Sequence, residues 1–352
     1  MDEHVNYLDF RSIVIYNIKT DISLSQILEL FTWVDIESYT YVDNIARINF
    51  FSYYFLYKAY ENLKQKDLGF LGDICIKFLK TKELEKSVYY SYLCGGTRGI
   101  FITQIEEDDE QKLIKYANEY GSVEQIKYFK DRKTIYVIYE EYCTAVQFLN
   151  FLLNSPIYFS KKCGFVKQQK DEEHNLNEIL HSGQRTVYIG NLQSEIDVKD
   201  ILDQIKIGML HNIKIIRDKK IGFITFLDCI TAKIFLDHCE EYPLVIKGHK
   251  LKIMWGKITT ISLSVVLAIF KGSTRGLKIH KALDKEELAA YGEIEHYEVA
   301  ENTTVFYFSI VDAMQAYSEI NKKNVMVDYI EDRCDGDALE KYILGLKVFQ
   351  EL

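Results

Sequence analysis

Around residue 188 the chain alternates. In "VYIGNL" the apolar Val187, Ile189 and Leu192 mark a buried side and Tyr188 falls on the opposite one. That period of two predicts a short half-buried strand. A helix-like stretch, "VKDILDQIKIG", follows, then strand-like "NIKIIRD" and "KKIGFITF", a second helix-like stretch, "CITAKIFLDHC", and a closing strand, "LKIMWGK". The succession recurs. After "GGTRGIFITQI" come "EQKLIKYANEYG", "VEQIKYFKD", "RKTIYVIY" and "CTAVQFLNFLL". Near the N-terminus "SIVIYNIK" leads into "LSQILELFTW", "IESYTYV", "DNIARINF" and "LYKAYENL". A less regular copy runs "GLKIHKAL", "KEELAAYGEI", "HYEVAE", "TTVFYFS" and "DAMQAYSEI".

Three of the copies open on a glycine and an arginine (Arg98, Arg185, Arg275) spaced about 85 to 90 residues apart, the length of one small domain with its linker. The order strand, helix, strand, strand, helix, strand predicts an α+β chain of four ferredoxin-like βαββαβ modules in tandem, over 8–80, 97–168, 185–257 and 275–352. Two helices cover one face of each four-stranded sheet. The other face is open, and Tyr188 points into it.

These residues resemble RNA recognition motifs. "VYIGNL" (187–192) matches the six-residue motif of that family's first strand and "KKIGFITF" (219–226) the eight-residue motif of its third. The family stacks bases on aromatics at the second position of the former and the third and fifth of the latter. The resemblance thus implies Tyr188 and Phe223 as base platforms, with Ile221 where a third ring would stand. The second copy keeps Phe101 and Tyr136, with Thr134 at the remaining position. The first has Val14, Ile45 and Arg47, the arginine being able to stack its guanidinium on a base. The fourth has Lys278, Thr303 and Val305. Each stacked base is worth about 1–3 kcal/mol. The resemblance implies single-stranded RNA on the second and third copies, and a structural or protein-contacting use of the first and fourth.

The domain order also resembles the fungal four-domain RNA-binding proteins of the negative-regulator-of-differentiation type. The carriers are "LKIMWGK" (251–257) and the linkers "LSVVLAIFKGSTRG" and "YYSYLCGGTRG". That resemblance implies mRNA as the partner and post-transcriptional regulation, while the scattered cysteines, read as reduced thiols, lead to the expectation of cytoplasm or nucleus.

Charge separates the copies. The chain carries a net −9, but residues 185–257 hold 12 Lys/Arg against 9 Asp/Glu, +3, and residues 275–352 hold 9 against 16, −7. Phosphate contacts supply much of nucleic-acid affinity and acids repel them. The fourth copy therefore suits a protein partner better than RNA. Lys219, Lys220, Lys252 and Lys257 cluster about the third sheet, where they can track a phosphate backbone. Trp255 is either a third stacking ring or a cap on the core. Asn191 either bonds a base edge or organises the turn after its strand. The recurring arginines either pair with an acid of their own domain or reach phosphate, and the first use is favoured.

The remaining features argue for no further chemistry. Seven scattered cysteines form no C-x-x-C pair, and the histidines complete no metal spacing, so reduced thiols in small core sites are expected and no metal or cofactor. No phosphate-cradling loop, nucleophile elbow or H-E-x-x-H occurs, which argues against an enzyme. The acidic run "EEDDEQ" (106–111) suits the start of a helix. The opening "MDEHVNYLDF" has no leader pattern, and the apolar-rich 258–270 is too short and polar to span a bilayer, so no membrane partner is expected. The polar linker 169–184 reads as flexible. The apolar 259–271 is expected to pack on a neighbour and hold the third and fourth copies together.

Overall fold

The structure is a computed structural model that describes residues 10–32, 34–82, 84–166 and 183–336. It contains two compact units, which part between Asn177 and Glu178. The ends of the expected modules at 8–9, 167–168 and 337–352, and linker residues 169–182, lie outside the described residues.

The first unit holds two modules. Module one is β1 (Phe10–Tyr16), α1 (Leu24–Leu28), β2 (Ile36–Val42), β3 (Ile45–Phe50), α2 (Tyr53–Leu63) and β4 (Cys75–Lys80). A linker helix, α3 (Lys86–Leu93), leads to module two: β5 (Gly99–Ile102), α4 (Glu107–Tyr120), β6 (Val123–Phe129), β7 (Thr134–Tyr139), α5 (Tyr142–Asn154) and β8 (Cys163–Phe165). The sheets are antiparallel with orders β2-β3-β1-β4 and β6-β7-β5-β8. In both, the first and third strands lie in the middle: the first helical crossover leaves a gap that the third strand fills, and the second returns the chain to the free edge of the first strand.

The second unit repeats the plan. Module three is β9 (Thr186–Gly190), α6 (Val198–Leu202), β10 (Leu210–Ile216), β11 (Ile221–Phe226), α7 (Cys229–Glu241), a small hairpin β12 (Val245–Ile246) and β13 (His249–Lys250), and β14 (Lys252–Trp255). After the linker helix α8 (Leu263–Phe270), module four has β15 (Gly276–Ile279), α9 (Lys285–Ala289), β16 (Ile294–Val299), β17 (Thr303–Tyr307), α10 (Ile310–Lys322) and β18 (Val327–Ile330). The sheet orders are β10-β11-β9-β14 and β16-β17-β15-β18. Inward side chains of the strands meet the helices in apolar cores. Val187, Ile189, Ile224 and Phe226 pack with Leu202 and Phe235 in module three, and Leu277, Ile279, Val305 and Tyr307 pack with Ala313 and Ile320 in module four.

Within each unit the modules are joined the same way. The second strand of every sheet carries a bulge, at Glu37, Glu124, His211 and Glu295. Just past the bulge Ser38 pairs with Glu141, the residue before α5, and Asn212 pairs with Ser309, the residue before α10. A bulge bends its strand and frees backbone groups for such a contact. In the first unit α3 is the wedge: the Tyr92 ring stacks on Phe51 at 3.7 Å and its hydroxyl donates to Asp35 at 2.7 Å, while Ser91 and Tyr142 share a 2.9 Å hydrogen bond. In the second, α8 buries Val265, Val266, Leu267 and Ile269, the packing expected of an apolar linker. The Ile213 N–H donates to the Phe308 carbonyl at 2.9 Å, and the Gly208 N–H to the Cys334 carbonyl at 2.8 Å. Cys334, from beyond β18, is buried within the core of module three.

None of the seven cysteines forms a disulfide, four of them being buried and Cys75 exposed. No described helix is long and apolar enough to cross a membrane.

Candidate nucleic-acid interface

The open face of module three is set by strand register. Lys214, Phe223, Tyr188 and Met254 are successive cross-strand neighbours on β10, β11, β9 and β14. They stand on the face away from Val187, Ile189 and Ile224, which are buried. The Tyr188 and Phe223 rings are partly exposed and meet edge to face, centroids 5.6 Å apart at 66°. Gly190 explains the tyrosine's pose: a β-carbon there would stand 2.8 to 3.1 Å from the Tyr188 hydroxyl and ring atoms. The ring lies along the sheet over a residue without a side chain. Ile221 and Lys252 flank Gly190 in the next row. At the far end the chain after β14 closes the face: Gly256 N–H donates to the Thr186 carbonyl, Thr259 N–H to the Gly183 carbonyl, and the Thr186 and Thr259 hydroxyls bond each other. Thr186 and Thr225 are buried there, while the two rings beyond them are not.

Module two repeats the row. Lys127, Tyr136, Phe101 and Gly164 are successive neighbours on β6, β7, β5 and β8. A β-carbon at Gly164 would stand 3.1 and 3.3 Å from the edge of the Phe101 ring, so this ring too lies over a glycine. Phe129, 40% exposed, adds a third aromatic edge-on to Tyr136 at 5.3 Å. Four residues of these open faces were not singled out by motif position: Phe129, Met254 and the two lysines Lys127 and Lys214. Their signal was the period of two on β6, β10 and β14, which places Lys127, Lys214 and Met254 opposite Tyr136, Phe223 and Tyr188, and Phe129 opposite Thr134 one row along.

The other expected residues divide. Lys219 and Lys220 sit exposed in the turn between β10 and β11, Lys252 on the open face and Lys257 just past β14. Lys220 Nζ reaches Gln193 Oε1 at 3.1 Å. Asn191 adopts φ 62°, its amide donates to the Lys250 carbonyl at 2.8 Å, and its oxygen accepts from Gln193 at 2.8 Å. It organises the turn, and both ends of its amide are engaged there. Trp255 is not brought to the platform. It pairs with Val187 and packs against the module's core, on the helix-covered side. In module four Thr303 and Val305 are fully buried, and the open row is Glu298, Thr304, Lys278 and Asp328. The octamer register assumed for β17 is therefore corrected by one residue.

The recurring arginines serve structure. Arg98 donates to Glu124 at 2.8 Å and to the Tyr139 carbonyl, and lies 5.1 Å over the Tyr39 ring. Arg275, fully buried, pairs with Asp332 at 2.8 Å and Glu295 at 2.7 Å. Burial alone would lower its pKa, but Asp332 outweighs that and holds it raised. In module three the bulge acid is replaced by His211. Burial, then the charge of Arg185, lowers that imidazole to about 4. Arg185 bonds the Leu227 carbonyl and, among the described residues, makes no ion pair. One group of metal-type donors comes together among the described residues: Glu37, Glu141 and Cys143, within 4.8 Å of one another. Arg11 and Ser38 already bond Glu37, at 3.2 and 2.7 Å. Burial and Glu37 push the Cys143 thiol up to about 12.

No family model matches the chain. It is 26% identical to the meiotically up-regulated gene 24 protein of Schizosaccharomyces pombe, over 95% of this chain and 57% of that protein. It is 22% identical to the RNA-binding protein MRN1 of Saccharomyces cerevisiae, over 68% and 52%, and 26% identical to the RNA-binding protein NAB6 of the same yeast, over 46% and 18%. The chain thus spans about half the length of the first two relatives. Among solved structures, the N-terminal three RNA binding domains of the yeast splicing factor Prp24 align with 70% of this chain and 99% of theirs, at 14% identity and a TM-score of 0.23. With four βαββαβ sheets of one strand order, two of them bearing paired rings on the open face, the chain has the architecture of tandem RNA recognition motifs and is similar to proteins named as RNA-binding.

Proposed function

We propose that the chain binds single-stranded RNA through the open sheets of modules two and three, with messages as its targets and their post-transcriptional control as its task. The observation that carries this is the repeated row, Lys127–Tyr136–Phe101 in one module and Lys214–Phe223–Tyr188 in the other. Exposed rings on an open sheet accept any base, because every base has a π-face. The exposed lysine at the end of each row is placed for the phosphate that follows. The names of two relatives support RNA as ligand, and the resemblance to the fungal four-domain type supports mRNA.

The test is a gel shift of the full chain with a random pool of single-stranded RNA. Replacing Tyr188→Ala and Phe223→Ala together removes two stacks at about 1–3 kcal/mol each, so affinity should fall at least about thirtyfold. Unchanged affinity would defeat the reading. For module four the favoured use is contact with a protein, since its open row places Glu298 and Asp328 beside Thr304 and Lys278 and its sequence carries −7. RNA crosslinks from the same pool falling on β15–β18 would overturn that assignment.

A further inference from the structure

Module one lacks platform rings, yet its open face is not bland. The row that holds aromatics in modules two and three reads here Thr40, Arg47, Val14 and Lys77 on β2, β3, β1 and β4. Val14, at the central position, is only 3% exposed, while Arg47 and Lys77 on either side of it are exposed. Two cations thus flank an apolar floor, two strands and roughly 10 Å apart. Among the described residues neither makes an ion pair. Arg47 is steadied by donating its Nε–H to Asn49 at 3.3 Å, and Asn49 in turn donates to Ser38 at 2.8 Å. Lys77 Nζ stands 5.6 Å from the centroid of the Tyr16 ring, one row along. Module four's row, by contrast, sets Lys278 between Asp328 and Thr304 and ends on Glu298. Of the two sheets with no base platform, module one's is the one whose row holds two cations and no acid.

We infer that the open face of module one is a phosphate seat for single-stranded RNA, in which Arg47 and Lys77 grip the backbone while modules two and three stack bases. The inference rests on the RNA-binding reading above and adds a third contact of different chemistry. A planar guanidinium matches phosphate oxygens in pairs, and the ammonium acts as a point charge. Such contacts add affinity and position the strand without reading its sequence. They also leave a signature that stacking does not, because each neutralised phosphate of a single strand releases about 0.7 counterion.

The experiment compares the full chain with the double variant Arg47→Gln, Lys77→Gln on a long random-sequence single-stranded RNA across a salt series. Both side chains are exposed, so the variant should keep the thermal midpoint of the parent. The slope of log affinity against log salt should become shallower by about 1.4, two phosphates at about 0.7 each. The ring variant Tyr188→Ala, Phe223→Ala should weaken binding with its slope intact. An unchanged slope in the cation variant, with RNA still released by the ring variant, overturns the phosphate seat and leaves the stacking reading standing. Failure of the parent chain to bind RNA at any salt overturns both. Loss of bound poly-glutamate in the cation variant, with the RNA slope unmoved, also overturns it, by assigning the face to an acidic protein.

Discussion

At Gly190 a single methyl group decides the pose of a ring. A β-carbon there would meet the Tyr188 hydroxyl at 2.8 Å and its Cε1 at 2.9 Å, closer than atoms pack. Gly190→Ala should therefore lift Tyr188 off the sheet and weaken RNA binding several-fold. Its unfolding free energy should change by no more than about 1 kcal/mol, since the clash is with a surface ring that can move. Titration with RNA and urea unfolding together check it. An equally large loss of stability would mean that the ring is structural. Gly164→Ala, with its nearest contact at 3.1 Å, should have the milder effect. The open-face positions of Tyr188, Phe223, Phe101 and Tyr136 were legible because alternation assigns a face and the motif assigns a position. Trp255 was not. An aromatic on the last strand stacks or packs according to parity alone, and its partner Val187 puts it inside.

Among the elements, strands reveal themselves by period but bulges do not. Each second strand hides one extra residue, and the shared position emerges only when the ladders are paired. The run Thr303–Tyr307 places a threonine followed by an apolar residue on each face, so alternation fitted either register and the expected position fell one residue out. The linker helix α3 joins two modules through a polar contact, the Tyr92 hydroxyl on Asp35. Burial first, and then that carboxylate, hold the Tyr92 pKa well above its ordinary value. Tyr92→Phe removes the donor from a buried carboxylate and should cost about 1–3 kcal/mol. Denaturant unfolding of the full chain should show the first unit melting earlier. A midpoint identical to that of the parent would refute the wedge.

Over the whole molecule, charge and acid sensitivity are unevenly placed. The net −9 comes mostly from module four, which is why a chain of this sign can still offer two lysine-ended platforms and a cationic row. The second unit has its own titration. His211 ordinarily titrates near 6.5 and is lowered by burial and Arg185 to about 4. A lowered folded pKa means stability that is complete above about 6.5 and drains as pH falls toward 4, by about 3 kcal/mol in all. Asp228, raised by burial, acts in the opposite sense, so the comparison that isolates the histidine is with His211→Gln. That variant should show a flatter stability profile between pH 7 and 4, read by urea unfolding at each pH, and an unaltered profile would exclude the histidine as the cause.

Cys334 is spelled by one module and spent inside another. Its peptide oxygen accepts the Gly208 N–H and its thiol fills interior space that the third module's own residues leave open. A fragment ending at Lys257 would carry the strongest ring pair on a body with a missing plug. Modules three and four are thus tied into one folding unit, and the acidic member serves it structurally whatever it binds.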